Sequence, residues 1–141
     1  MALIGDLDDI ISELPREMVH RYFMLRWQVA YSSGDLEDGD FSLGQAASHA
    51  EGSLSCLETG YACARQHTRA GRYTEAVQVC RRGLRESREH GVVDYSVLFS
   101  IQGARAARRS GDLESALAWL AEADIVLGSA PELGDLAIRT G

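Results

Sequence analysis

From Leu113 to Leu127 the apolar residues fall at Leu113, Ala116, Leu117, Leu120, Ala121, Ala123 and Val126 or Leu127, the i, i+3, i+4, i+7 spacing of one helix face. The same periodicity runs through most of the chain, and no run of alternating β-branched residues is long enough to make a strand. Glycine punctuates the pattern at regular distances. The string Ser33, Gly34, Asp35, Leu36 returns as Ala70, Gly71, Arg72, Tyr73 and as Ser110, Gly111, Asp112, Leu113, with the glycines 37 and then 40 residues apart. A small residue follows each glycine by five positions, at Gly39, Ala76 and Ala116. A second marker keeps step with the first: Glu51 and Gly52, then Glu89, His90 and Gly91, then Glu132, Leu133 and Gly134. Self-similarity at this period predicts a repeated helix, turn, helix unit.

The helices are predicted near 16–33, 36–50, 53–70, 73–89, 94–109 and 113–127. Asp112 is placed to cap the last of them, and the glycine before it supplies the left-handed residue that ends the helix before. Pro15 and Pro131 stand where a helix opens. The units become a first repeat over 15–51, a second over 52–90 and a third over 91–130, with the start of a truncated fourth over 131–141. Residues 1–14 carry Leu3, Leu7, Ile10, Ile11 and Leu14, an amphipathic helix too short to stand alone and predicted to pack on the first pair. Its Gly5, Asp6, Leu7 echoes the marker, as in a shortened second helix of a preceding half-unit. Small residues at Ala64, Ala76, Ala104 and Ala116 let paired helices approach, while Leu84, Leu117 and Leu120 are expected to fill the space between pairs. Tyr22, Phe23 and Trp27 read as core aromatics.

Gly71, Tyr73, Ala76 and Gly83 in the second unit, and Gly111, Leu113, Ala116, Leu120 and Ala123 in the third, resemble the tetratricopeptide repeat. The period is longer than that family's usual ~34 residues. It looks like the long-repeat variants of bacterial signalling and regulatory proteins, such as those preceding diguanylate cyclase or transcription-regulator domains. The resemblance covers about 16–127 and is weakest in the first unit, where Gly39 replaces the expected alanine and Arg26 an expected leucine. Gly60 and Ser100 likewise stand where the family prefers a large apolar side chain. The resemblance implies an all-α, right-handed solenoid of about three helix-turn-helix repeats with an N-terminal capping helix.

Charge changes the picture in one respect. The chain has a net charge of −7, which argues against a general nucleic-acid or anionic-membrane binder, yet its fourteen cations are all arginine. No stretch is apolar for long enough to span a membrane, and the N-terminus lacks the basic start of a secretory signal, so a cytoplasmic location is expected. Cys56, Cys63 and Cys80 form neither a disulfide framework nor a zinc motif, and read as reduced thiols buried as small hydrophobes.

The usual catalytic signatures are absent: no Walker loop, no dinucleotide fingerprint, no nucleophile elbow and no His-Glu-x-x-His pair. No catalytic residue, metal or cofactor is predicted. His20, His49, His67 and His90 are scattered. The run Asp35, Glu37, Asp38, Asp40 reads as an acidic helix start and not as a calcium loop, because Ala46 occupies the twelfth position.

The arginines suggest a binding surface. If the first helix of each unit lines a groove, as the resemblance implies, its groove positions are Arg21, Met24, Gln28 and Tyr31, then Glu58, Tyr61, Arg65, Thr68 and Arg69, then Leu98, Ile101, Arg105, Arg108 and Arg109. Six of the fourteen arginines then share one surface with two tyrosines, a composition suited to carboxylate or phosphate groups. An alternative is open: the arginines of the second and third units lie late in their helices, where a cation opposes the macrodipole. Arg81, Arg82, Arg85 and Arg88 read as a solvated outer face. The expected function is non-catalytic binding of a protein or peptide partner, acidic in part. The other reading is a regulatory or oligomerising segment of a larger signalling protein.

Overall fold

The computed structural model describes residues 13–129, which form six α-helices and, among the described residues, no strand. They are α1 (Arg16–Ser33), α2 (Leu36–His49), α3 (Gly52–Arg69), α4 (Tyr73–Glu89), α5 (Val93–Arg109) and α6 (Leu113–Ser129). α1 and α4 have the bounds predicted from sequence, and the others differ by one or two residues. The amphipathic segment before Glu13 and the start of a fourth unit lie outside the described residues. Among the described residues no helix is long and apolar enough to cross a membrane.

Turns of two or three residues join the helices, as in αα-hairpins. At Gly71 the backbone takes φ 79°, and Arg72 N–H donates to the His67 carbonyl at 2.8 Å. At Gly111, φ is 87° and Asp112 N–H reaches the Ala107 carbonyl at 2.9 Å. A side chain at either glycine would be strained in this left-handed conformation. The turns at Gly34 and Gly91 close by the same bond, so Gly91, from the second marker, does the work of the first. Two of the following helices carry a side-chain cap. Asp35 accepts from Asp38 N–H at 3.0 Å, and Asp112 accepts from Ser115 N–H at 3.0 Å and Ser115 Oγ at 2.7 Å. These two bonds, side chain first, lower the Asp112 carboxyl below its ordinary value.

The chain divides into two compact units, residues 1–59 and 60–141, with the division inside α3. In the first, Val19, Phe23, Met24, Trp27 and Ala30 of α1 are buried with Leu43 and Ala46 of α2 and Leu57 of α3. Tyr22 is 48% exposed and so is not a core residue, although its ring lies edge-on to buried Phe23 at 4.9 Å. Arg26 replaces an apolar contact with a polar one: its Nη2 and Nε donate to Asp38 Oδ1 at 2.7 and 3.2 Å, and its guanidinium lies 5.1 Å from the Phe41 ring centre. His20 is buried against Thr59 at 2.7 Å. Thr59 gives its own proton to the Ser55 carbonyl at 2.7 Å, so His20 Nε2 is the donor.

In the second unit the small residues Ala64, Ala76, Ala104 and Ala116 are all buried, as expected for close helix approach. The large side chains come from elsewhere than the family pattern suggests. Phe99 of α5 is fully buried over Gly83 of α4, where a Cβ would clash with three carbons of its ring, and lies 3.6 Å from a Cβ at Gly60. A Cβ at Gly60 would thus be in ordinary van der Waals contact with the ring, unlike one at Gly83. Trp119 of α6 packs over Gly103 in the same way, with Cε2 only 2.6 Å from a Cβ there. Trp119 thus occupies the place expected for Leu117 and Leu120, which are 68% and 46% exposed on another face of α6. Leu84 is buried, as predicted.

Candidate functional site

In the second unit the sequence-predicted positions on α3 and α5 meet around aromatic rings. Tyr61 is half-buried, with its ring edge-on to Phe99 at 5.9 Å and to Tyr95 at 6.5 Å, and Tyr95 lies 6.2 Å from Phe99. Arg65, one turn on from Tyr61, sets its guanidinium 5.9 Å from the Tyr61 ring centre, within cation-π range. Beneath them Gln102 Nε2 donates to Thr68 Oγ1 at 3.1 Å, and Thr68 Oγ1 donates to the Ala64 carbonyl at 2.8 Å. Both side chains are buried, so this chain of bonds fixes α5 against α3. Thr68 is accordingly structural and not a groove position. Leu98 and Ile101 are half-buried, while Arg69, Arg105, Arg108 and Arg109 are exposed. Arg108 and Arg109 make no ion pair among the described residues. They lie in the last turn of α5, where they also oppose its dipole.

In the first unit the predicted set is only partly accessible. Arg21 and Gln28 are exposed, Arg21 with Glu17 3.4 Å away, and Tyr31 is half-buried with its ring 5.2 Å from Trp27. Met24 is a correction: at 5% exposure it belongs to the core, because it turns toward the side of α1 that holds Phe23 and Trp27. Glu58 is exposed.

Tyr95 and Gln102 were missed in the sequence. Tyr95 sits three residues before Leu98, at the right spacing to share its face, and Gln102 is a polar residue inside an otherwise apolar stretch.

The remaining chemistry is structural. Asp35 and Asp38 are used as a cap and an ion-pair partner, and the described residues hold no group of three acids, histidines or cysteines able to bind a metal. The three thiols form no disulfide, but Cys56 is exposed and Cys63 half-buried, unlike the buried thiols expected. Cys80 is fully buried, and loss of solvation pushes its thiol up to about 12. On α4, Arg81, Arg82, Arg85 and Arg88 are exposed as predicted. Arg88 reaches Glu122 at 2.5 Å, and Arg81 edges an open cavity of about 260 Å³ between α4 and α6, floored by Leu84, Ala118 and Trp119.

No family model, curated protein or solved structure matches the chain. The functional reading therefore rests on the residues themselves. Their arrangement can grip and orient a ligand bearing carboxylates and apolar side chains: aromatic rings and half-buried aliphatics supply contact area, and guanidinium groups supply paired donors.

Proposed function

We propose that the chain is a non-catalytic helical-repeat module of tetratricopeptide type, which binds a protein or peptide partner, acidic in part, on the first helices of its units. The observation that carries this reading is the surface of α3 and α5. A cluster of Tyr61, Tyr95 and Phe99 has Arg65 over one ring, Leu98 and Ile101 half-exposed on α5, and Arg105, Arg108 and Arg109 open to solvent beyond them. Aromatic and arginine side chains together are the usual composition of energetic hot spots, and arginine pairs with carboxylates bidentately. The test is to titrate a fluorescein-labelled peptide of alternating leucine and glutamate against the wild type and an Arg105→Glu, Arg108→Glu double variant. Binding should weaken at least tenfold in the variant and fall with salt. Equal binding would remove the assignment.

A second reading, a regulatory or oligomerising segment, is favoured by one observation. Leu113, Leu117 and Leu120 lie on one face of α6 and are 64, 68 and 46% exposed. Light scattering across a concentration series separates the two: a strict monomer speaks for the peptide module, and concentration-dependent growth lost in Leu117→Glu for the oligomer.

A further inference from the structure

Two cavities of the second unit join to make a groove between α4 and α6. The first, about 270 Å³, is lined by Tyr73, Thr74 and Gln78 near the start of α4 and by Asp112 and Ser115 at the start of α6. The second, about 260 Å³, is floored by Leu84, Ala118 and Trp119, with Glu122 at its rim. Arg81 and Ser115 line both, so these are two halves of one groove, the first polar and the second apolar. Arg88, which lines a third cavity, reaches across to Glu122, and this ion pair bars the groove beyond its apolar half. From Tyr73 to Leu84 the groove runs roughly 16 Å along α4. A groove so short and barred suits a small molecule better than a polypeptide running through it.

Its polar groups are unspent. Arg81 makes no ion pair among the described residues, although Asp112 lines the same cavity, so the two charges stand too far apart to pair. Asp112 stays ionised, because the hydrogen bonds from Ser115 hold its carboxyl below its ordinary value. The side chains of Tyr73, Thr74 and Gln78 and the Trp119 indole N–H also have no hydrogen-bond partner among the described residues. A separated cation and anion beside an apolar floor are complementary to a ligand that carries both charges and an apolar group. The apolar half is large enough for a ring, since an enclosed cavity of about 150 Å³ already holds benzene.

We propose that this groove binds a free α-amino acid with a large apolar side chain. The side chain lies on Leu84, Ala118 and Trp119, the carboxylate on Arg81 and the ammonium on Asp112. The fork of the guanidinium suits a carboxylate, and the ligand's own short backbone spans the gap that keeps Arg81 and Asp112 from pairing. None of these residues belongs to the peptide-binding surface of α3 and α5, so either reading stands or falls without the other.

The test is to titrate L-phenylalanine into the isotope-labelled full chain and follow the assigned Trp119 indole resonance by NMR. That resonance should move saturably with the amides of residues 78–84 and 115–122, with half-saturation at or below about 1 mM. Arg81→Gln and Asp112→Asn should each weaken binding at least fivefold, whereas Arg82→Gln, one residue on but outside the groove, should not. Asparagine caps a helix about as well as aspartate, so Asp112→Asn keeps α6 in place. 3-Phenylpropionate, which lacks the ammonium, should bind the wild type at least fivefold more weakly than phenylalanine does, and Asp112→Asn no more weakly than the wild type. The absence of a saturable shift up to about 10 mM would overturn the proposal, as would equal affinities of Arg81→Gln and the wild type. Equal binding of phenylalanine and 3-phenylpropionate would reduce the groove to a carboxylate site and overturn it too.

Discussion

Between α1 and α2 a bidentate Arg26 and Asp38 pair crosses the interface, capped at one end by the Asp35 turn, and Arg16 reaches from α1 to Glu51 at 2.9 Å. Between α4 and α5, and again between α5 and α6, an aromatic ring enters a notch left by a glycine: Phe99 at Gly83 and Trp119 at Gly103. The Gly34 turn of the first unit and the three turns of the second close by the same glycine-dependent bond, so the difference between these helix pairs lies in what holds the helices afterwards. Polar contacts in partial solvent tolerate change and respond to salt, whereas a ring in a close-packed notch tolerates almost no added volume. The first unit should be tunable by conditions and the second by size.

The most severe test of that contrast adds one methyl group. Gly83→Ala puts a Cβ where the Phe99 ring already is, so the ring must leave its site or the helices must part, at a cost of about 3 kcal/mol. Urea unfolding measures it. Because the conflict is with one ring, Gly83→Ala should cost far less in a Phe99→Leu background, a coupling read from the double-mutant cycle. Additive costs would mean that helix propensity or backbone effects, not the notch, set the stability.

The second unit also has a pH limit. The thiol of Cys80 is neutral when protonated, and burial raises its folded value to about 12 from an ordinary 9.0. A raised value means that its contribution is complete below the unfolded value and lost as pH rises toward the folded one. Stability should therefore decline by about 2 kcal/mol between pH 9 and roughly pH 10.5, at ~1.4 kcal/mol per unit. Cys80→Ala, although less stable at neutral pH, should lose that slope. A wild-type slope unchanged in the variant would assign the alkaline loss to other groups.

These two sites mark how far the sequence could be read. Helix positions were legible because glycine spacing and 3.6-residue periodicity are local signals, and Asp112 was legible as a cap for the same reason. The notches were not legible as pairs. Gly83 and Phe99 are sixteen residues apart on different helices, and Gly60 looked like a defect until the ring beside it was known. The candidate surface was half legible. Tyr61, Arg65 and Arg105 share predicted faces, but Met24 and Thr68 were lost to the interior because spacing fixes a residue's direction to within about a third of a turn and burial changes over less than that. Tyr22 and Leu117 were misjudged in the other direction: an apolar residue on an outer helix is assigned to a core by pattern alone, and only the packed neighbours reveal which stripe is used.

A smaller effect tests the polar side of the comparison. Arg26→Ala removes the two donors to Asp38 and the cation over Phe41, both about one-third exposed to water, so the expected loss is about 1.5 kcal/mol. The hydrogen bond to Asp38, followed by the charge of that carboxylate against the cost of burial, holds the Arg26 guanidinium above its ordinary value, the direction expected of a productive pair. The loss should shrink when unfolding is repeated in 1 M sodium chloride, where the Debye length is about 3 Å. The cost of Gly83→Ala should not. A salt-independent Arg26→Ala would mean that its aliphatic stem, and not its charge, joins α1 to α2.

The smallest effect separates local from tertiary stabilisation in the first unit. Among the described residues the Asp35 side chain bonds to the Asp38 N–H of its own turn, so Asp35→Ala should cost about 1 kcal/mol, the worth of an N-cap, while leaving the Arg26 pair in place. Asp38 is reached from both sides, by its backbone from Asp35 and by its carboxylate from Arg26. If the cap also positions that carboxylate, the two variants will be non-additive: Asp35→Ala will cost less once Arg26 is already alanine. Urea unfolding of the double variant decides it. Additivity would show that the turn and the ion pair hold α2 independently, and coupling that the first unit has a single polar lock at the start of α2 where the second unit has two apolar ones.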